Sequence, residues 1–254
     1  MDNQNKHKIV LKPYLSAMKQ MLLFVLVLFS LNSIAQVRPE NSKRNYESDL
    51  IYYRKNVTKI SAIVGASAVL AFALDESMQR FLQNNQNGFA DGFANGANVF
   101  GEKMFIVPAV GLSWGAGYVF KDDKLRQTSW NAIKSIAVTA VSTEVIKISA
   151  GRARPFMDEG AYSFYPFDNE DHYKSLPSGH TSLAFAAFTP FAETYSRWLY
   201  VVPASVAFAR IYKNKHWFSD VVIGGGLGLI SGWIFTHHPK SKLQVASNGI
   251  IFYF

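Results

Sequence analysis

Apolar positions in this chain gather into runs long enough for helices, separated by short polar breaks. The run 59–74 predicts one helix, ended by Asp75-Glu76, and the run 105–120 predicts another, closed by the charged turn Lys121-Asp122-Asp123-Lys124. Between them, 78–104 mixes Phe with Asn, Asp and Gly, the pattern of amphipathic helices broken by turns. Residues 128–150 keep a helical pattern without internal Gly or Pro and stop at Gly151. A long irregular loop rich in Phe, Tyr and charge follows over 152–177, and then three more helices over 179–194, 197–212 and 216–236. The tail 241–254 ends in alternating, strand-like residues, too few to build a barrel. No internal repeat is present. The expected fold class is all-α, a single helical bundle.

The N-terminus has its own pattern. Lys6, His7, Lys8, Lys12 and Lys19 precede an apolar run over 21–31, which gives way to small and polar residues around Ala35. A basic stretch, a short apolar core and a small-residue exit predict a signal peptide over 1–35. The organisation expected from there is a linker over 36–56, a helical domain over 57–240 and a C-terminal tail over 241–254. The apolar stretches stand near the lower edge of what crosses a hydrocarbon core of ~30 Å. Length therefore leaves both a membrane-spanning and a soluble bundle open.

Composition narrows the chemistry. With 26 Lys and Arg against 18 Asp and Glu, the net charge is +8, which favours anionic partners such as phosphates or acidic lipid headgroups. The chain has no cysteine, so disulfides, thiolate metal sites and cysteine nucleophiles are excluded. At 49% hydrophobic and 17% charged, it has enough apolar surface to offset the entropy of ordering, which excludes disorder as its main state.

Three clusters carry candidate chemistry. In Lys147-Ile-Ser-Ala-Gly-Arg-Ala-Arg154-Pro155, a lysine in the last turn of a helix is followed by Arg152 and Arg154; cations there also complement a helix dipole. In Leu176-Pro177-Ser178-Gly179-His180-Thr181, Ser178 can cap a helix whose first N–H groups, at Gly179 and His180, form an anion pocket. In Arg210-Ile-Tyr-Lys-Asn-Lys-His216-Trp-Phe-Ser-Asp220, a His and an Asp four apart share a helix face, so the carboxylate can hold the imidazole. Each cluster alone also fits an ordinary structural role. Together they supply what phosphoryl transfer needs: cations for the equatorial oxygens, a nucleophile and a proton donor.

The order and spacing Lys147-x6-Arg154-Pro155, Pro177-Ser178-Gly179-His180 and Ala209-Arg210-x5-His216-x3-Asp220 resemble the signature of the type 2 phosphatidic acid phosphatase and vanadium haloperoxidase superfamily. The resemblance implies a helical bundle with its active site at one end, roofed by the loop 152–177. It implies that His216 is the nucleophile, that Asp220 orients it, and that His180 is the general acid and then the base. Lys147, Arg154, Arg210, Ser178 and the Gly179 N–H would bind phosphate, with no metal and no other cofactor. Ala209 departs from the family's usual Ser, and Arg152 reads as loop electrostatics rather than a phosphate ligand.

The function so implied is a metal-independent phosphatase acting through a phosphohistidine on phosphate mono- or pyrophosphate esters. Lipid-linked phosphates at the outer face of the inner membrane are the first expectation, with membrane association and no nucleic-acid partner. The alternative is a soluble periplasmic acid phosphatase; a haloperoxidase or a non-catalytic anionic-lipid-binding protein ranks below both. Elsewhere, Gly224-Gly225-Gly226 and Gly228 read as close-packing positions in a helix, and 168–171 as a solvated turn.

Overall fold

The computed structural model describes residues 40–238, 244–246 and 249–251. The expected signal peptide over 1–35 lies outside the described residues. The chain divides into two units, the larger being Arg44–Pro239. In the other, β1 (Gln244–Ala246) pairs antiparallel with β2 (Gly249–Ile251), Gln244 opposite Ile251.

Among the described residues, seven α-helices follow in chain order: α1 (Glu40–Asn84), α2 (Gly88–Val99), α3 (Lys103–Val119), α4 (Asp123–Ala150), α5 (Gly179–Thr194), α6 (Val201–Tyr212) and α7 (Phe218–His237). The all-α expectation holds. Two boundaries differ in an instructive way. Helix α1 begins at Glu40, inside the stretch 36–56 expected as a linker, because no Gly or Pro interrupts 40–64 and polar residues alone do not stop a helix. It also runs through Asp75-Glu76 instead of ending there, because Asp75 is buried against partners from elsewhere in the fold.

Helix α4 owes its ends to local chemistry. The Asp122 side chain accepts the Leu125 N–H at 2.9 Å, and Gly151 terminates the helix in the left-handed region at φ 59°. A Cβ at Gly151 would collide with the Tyr165 carbonyl, so only glycine lets the loop cross there. Ile106 and Val110 of α3, Ala132 and Ile136 of α4, and Ala186 and Ala187 of α5 form one core cluster. A second joins Ala94 and Ala97 of α2 to Ala209 and Tyr212 of α6.

Helices α5 and α7 pack backbone to backbone. A Cβ at Gly224 would lie 2.7 Å from the Ser178 carbonyl oxygen, and one at Gly232 would lie 2.6 Å from Thr189 Cβ. The glycine run is therefore a packing device, as its place in a helix predicts. This contact brings the start of α5 against the start of α7. By length and composition, α1 over Ser48–Asn84 and α7 are apolar enough to cross a membrane; the most apolar stretch of α7 is more than half buried, and little of that of α1 is buried.

Candidate active site

The three sequence clusters meet at the end of the bundle where α4 stops and α5 and α7 start. His216 is 2% exposed and lies in the turn before α7, not on the helix as its spacing from Asp220 suggests. The reason is Asp220 itself. Its carboxylate accepts the Trp217 N–H at 2.9 Å, which starts the helix at Phe218 and leaves His216 outside it.

His216 Nδ1 is 2.8 Å from the Ser175 carbonyl oxygen, whereas the nearer Asp220 oxygen is 3.6 Å away. A carbonyl can only accept, so Nδ1 carries the hydrogen and Nε2 keeps its lone pair. The immediate orienting group is thus Ser175, and Asp220 stands behind it, accepting from the Ser175 hydroxyl. Burial pushes the His216 pKa down to about 3, reinforced by the charges of Lys147 and Arg210 and opposed by Asp220. The ring is a neutral base with one free nitrogen.

The cations surround it. Lys147, in the last turn of α4, is buried and donates to the Lys174 carbonyl; burial and the charge of Arg154 lower its pKa to about 8. Arg154 donates to the Asp171 carbonyl at 2.9 Å and pairs with the exposed Asp171 carboxylate at 3.2 Å. The turn expected to be merely solvated therefore holds one of the arginines. Arg210, at the end of α6, donates from Nη1 to Asn98 at 2.6 Å, while its buried Nε has no partner. Burial, then the Arg154 charge, bring Arg210 down to about 10.

Ser178 occupies the position before α5, but its hydroxyl lies 3.0 Å from Thr181 Oγ1 and caps no backbone N–H. The N-terminal N–H groups of α5 thus have no side-chain cap, and Gly179 brings the backbone close to the Lys147 side chain. His180 Nε2 is 2.9 Å from the Glu102 carboxylate, which reaches it from the start of α3. Burial and the Arg210 charge lower its pKa, and Glu102 opposes them. Ala209, where the related signature has Ser, is fully buried in the apolar cluster between α2 and α6.

Four partners escaped the sequence reading: Ser175, Glu102, Asn98 and Asp75. Their contacts to the motifs span 41 residues for Ser175, 78 for Glu102 and 112 for Asn98, beyond any local spacing rule. Arg152 needs a correction as well. It is not loop electrostatics but a wholly buried guanidinium paired with Asp75 and Asp220, each at 2.7 Å.

The PAP2 superfamily profile matches residues 128–243, which contain all three clusters. This region of the chain is thus similar to the PAP2 superfamily. Among relatives, the lipid A 1-phosphatase of Rhizobium etli is 29% identical over 130 residues, 49% of this chain and 49% of its own length. The lipid A 1-phosphatase of Porphyromonas gingivalis is 27% identical over 190 residues, covering 70% of this chain and 38% of the relative. The chain thus spans about half or less of these relatives. In fold, the helical bundle is similar to Aquifex aeolicus LpxE, with a TM-score of 0.52 at 22% identity over 64% of this chain and 94% of that one.

Proposed function

We propose that this PAP2 chain is a phosphatase of lipid-linked phosphate mono- or pyrophosphate esters, working through a phosphohistidine. The single observation behind the reading is the pairing of a neutral, buried His216, its Nε2 lone pair free, with a buried Arg210 whose Nε has no partner. An unpartnered guanidinium N–H in the interior is costly unless an anion takes it up.

In this reading His216 Nε2 attacks phosphorus and the bond to the leaving oxygen breaks. His180 gives that oxygen a proton. Lys147, Arg154, Arg210, Ser178 and the Gly179 N–H neutralise the equatorial oxygens, the term that dominates catalysis of this class. Asp220, through Ser175, supports the positive charge that His216 acquires. Water then attacks the phosphohistidine, His180 accepts its proton, and inorganic phosphate leaves with the bond to Nε2 broken.

A lipid-linked substrate fits the surface. Val69 and Leu70 of α1, Phe89 of α2, Met104 and Leu112 of α3, Phe120 just after it, and Trp198 are large, apolar and exposed, as expected of a surface that meets lipid. The two relatives named lipid A 1-phosphatase support a lipid-linked substrate, and the reading puts the enzyme in the inner membrane with its site facing the periplasm. The exposed α1 disfavours the soluble acid phosphatase alternative.

The test is phosphate release by detergent-solubilised protein from lipid A 1-phosphate, undecaprenyl diphosphate, phosphatidic acid and p-nitrophenyl phosphate. Vanadate-sensitive and EDTA-resistant release, faster on a lipid than on the soluble ester, is the expected result. Release only from the soluble ester would overturn the lipid assignment, and loss on chelation restored by a divalent ion would overturn the mechanism.

A further inference from the structure

Helix α1 is the part of the molecule that the phosphatase reading leaves without a task. Its most apolar stretch is largely exposed, yet Asp75, inside the helix and nine residues from its end, is 1% exposed. A carboxylate in such a place needs full compensation. Asp75 Oδ1 accepts the Ser219 N–H at 2.7 Å, and Oδ2 accepts the Ser219 hydroxyl at 2.6 Å and Arg152 Nη2 at 2.7 Å. Ser219 is the second residue of α7, so Asp75 takes up a free N–H at that helix start.

Arg152 distributes its donors completely. Nε and Nη2 both donate to the Ala161 carbonyl, Nη2 also to Asp75, and Nη1 to the Ser219 hydroxyl and to Asp220 Oδ1 at 2.7 Å. Phe72, Phe164 and Trp217 wall the guanidinium, with ring centroids 4.9, 5.5 and 5.6 Å from its carbon. With no N–H to spare, Arg152 binds no phosphate. It reaches only one oxygen of Asp220. The other, Oδ2, is left for the Trp217 N–H and the Ser175 hydroxyl, beside His216.

We propose that Asp75 and Arg152 are positioning residues for the nucleophile, Asp75 holding the guanidinium so that it engages Asp220 through a single oxygen. Arg152 and a carboxylate form a two-pronged pair when nothing prevents it. Without the Asp75 charge, the fork turns toward Asp220 and takes both oxygens, drawing Oδ2 from Ser175. The Ser175 carbonyl that aims His216 then shifts, and the Nε2 lone pair leaves the line of attack. Asp75 thereby makes the geometry of the site depend on α1 being docked.

The proposal rests on His216 being the nucleophile, and the experiment separates the two. Asp75→Asn retains an acceptor for the Ser219 N–H and removes the charge. Turnover of full-length protein in detergent is measured per vanadate-binding site, since vanadate engages Lys147 and Arg210, which lie outside this network. The expected result is kcat lower by about 10²-fold, the cost of a misplacement of order 1 Å, with KM and vanadate affinity within about threefold. A purely structural role gives fewer sites, each turning over at the wild-type rate, and would overturn the proposal. Should Asp75→Asn fail to accumulate, Arg152→Lys is judged by the same criteria, because one ammonium cannot hold both carboxylates in a fork. A wild-type protein that releases no phosphate ends the phosphatase reading and this proposal with it; an active wild type with undiminished variants ends this proposal alone.

Discussion

Helix α7 buries more than half of its most apolar stretch, through glycines at 224, 228 and 232 that let α5 approach its backbone. Helix α1 is more apolar still, with mean hydropathy 1.9 against 1.5, yet almost none of its own stretch is buried. Close backbone packing therefore holds α7 in place, whereas α1 touches the bundle along one narrow face, with Tyr53 stacked on Trp233, Val64 against Gly226 and Leu82 against the α2–α6 cluster. Polar contacts add to this: Asp75 on Arg152 and Ser219, Gln79 on Asn214, and Gln83 on the Tyr212 carbonyl. Two helices with apolar stretches of similar hydropathy thus serve different surroundings. The apolar side chains of α7 face protein. Many of those of α1, such as Ile63, Val69 and Leu70, face outward, and Asp75 reaches the network behind the site.

The comparison can be broken at several points, and the largest effect is expected at the site itself. His216→Ala should lower turnover by on the order of 10⁴-fold or more, as loss of a nucleophile does, with helical content by circular dichroism unchanged. Next is Arg152→Ala, which leaves two buried carboxylates facing each other without their cation. A loss of about 3–5 kcal/mol is expected for breaking such a buried pair, read as a fall in thermal midpoint in detergent. Arg210→Ala should spare that midpoint and lower kcat by about 10²–10³-fold, the range for removing one donor to developing charge.

A smaller effect concerns pH. Lys147 titrates near 8, below the ordinary lysine range, because it is buried beside Arg154. It is cationic below that value and neutral above it, so vanadate affinity should weaken as pH rises through about 8. Lys147→Arg, whose charge persists, should move that fall to higher pH. The smallest effect belongs to the outer face of α1. Val69→Gln with Leu70→Gln should leave kcat in detergent within about twofold, since substitutions away from packed or paired groups are nearly neutral. The same change should weaken retention in sedimented membranes.

Much of this architecture was legible in the sequence. Helices α3, α4, α5 and α7 follow apolar runs punctuated by the charged turn at 121–124, by Gly151 and by Pro177-Ser178. The motif residues Lys147, Arg154, His180, Arg210, His216 and Asp220 do come together at one end of the bundle. What escaped was of two kinds. Helix α1 extends past the apolar run 59–74 at both ends, because charge alone does not stop a helix and a buried partner such as Arg152 makes Asp75 acceptable inside it. The orienting contacts of the two histidines escaped because Ser175 acts through its backbone carbonyl, which no side-chain pattern encodes, and Glu102 acts across 78 residues. Local spacing also suggested a helix through His216, whereas the Trp217 N–H bound by Asp220 starts the helix two residues later.

Rapid-quench trapping with radiolabelled substrate tests the central claim most directly, namely that Nε2 of His216, with Nδ1 bound to the Ser175 carbonyl, becomes phosphorylated. Wild-type protein should give an acid-labile, base-stable phosphohistidine that maps to His216 and disappears in His216→Ala. In His180→Ala the same adduct should form from p-nitrophenyl phosphate, whose leaving group needs little help from a proton, and should then accumulate because its hydrolysis is slowed. Label that persists in His216→Ala, or that maps to His180, would contradict the account.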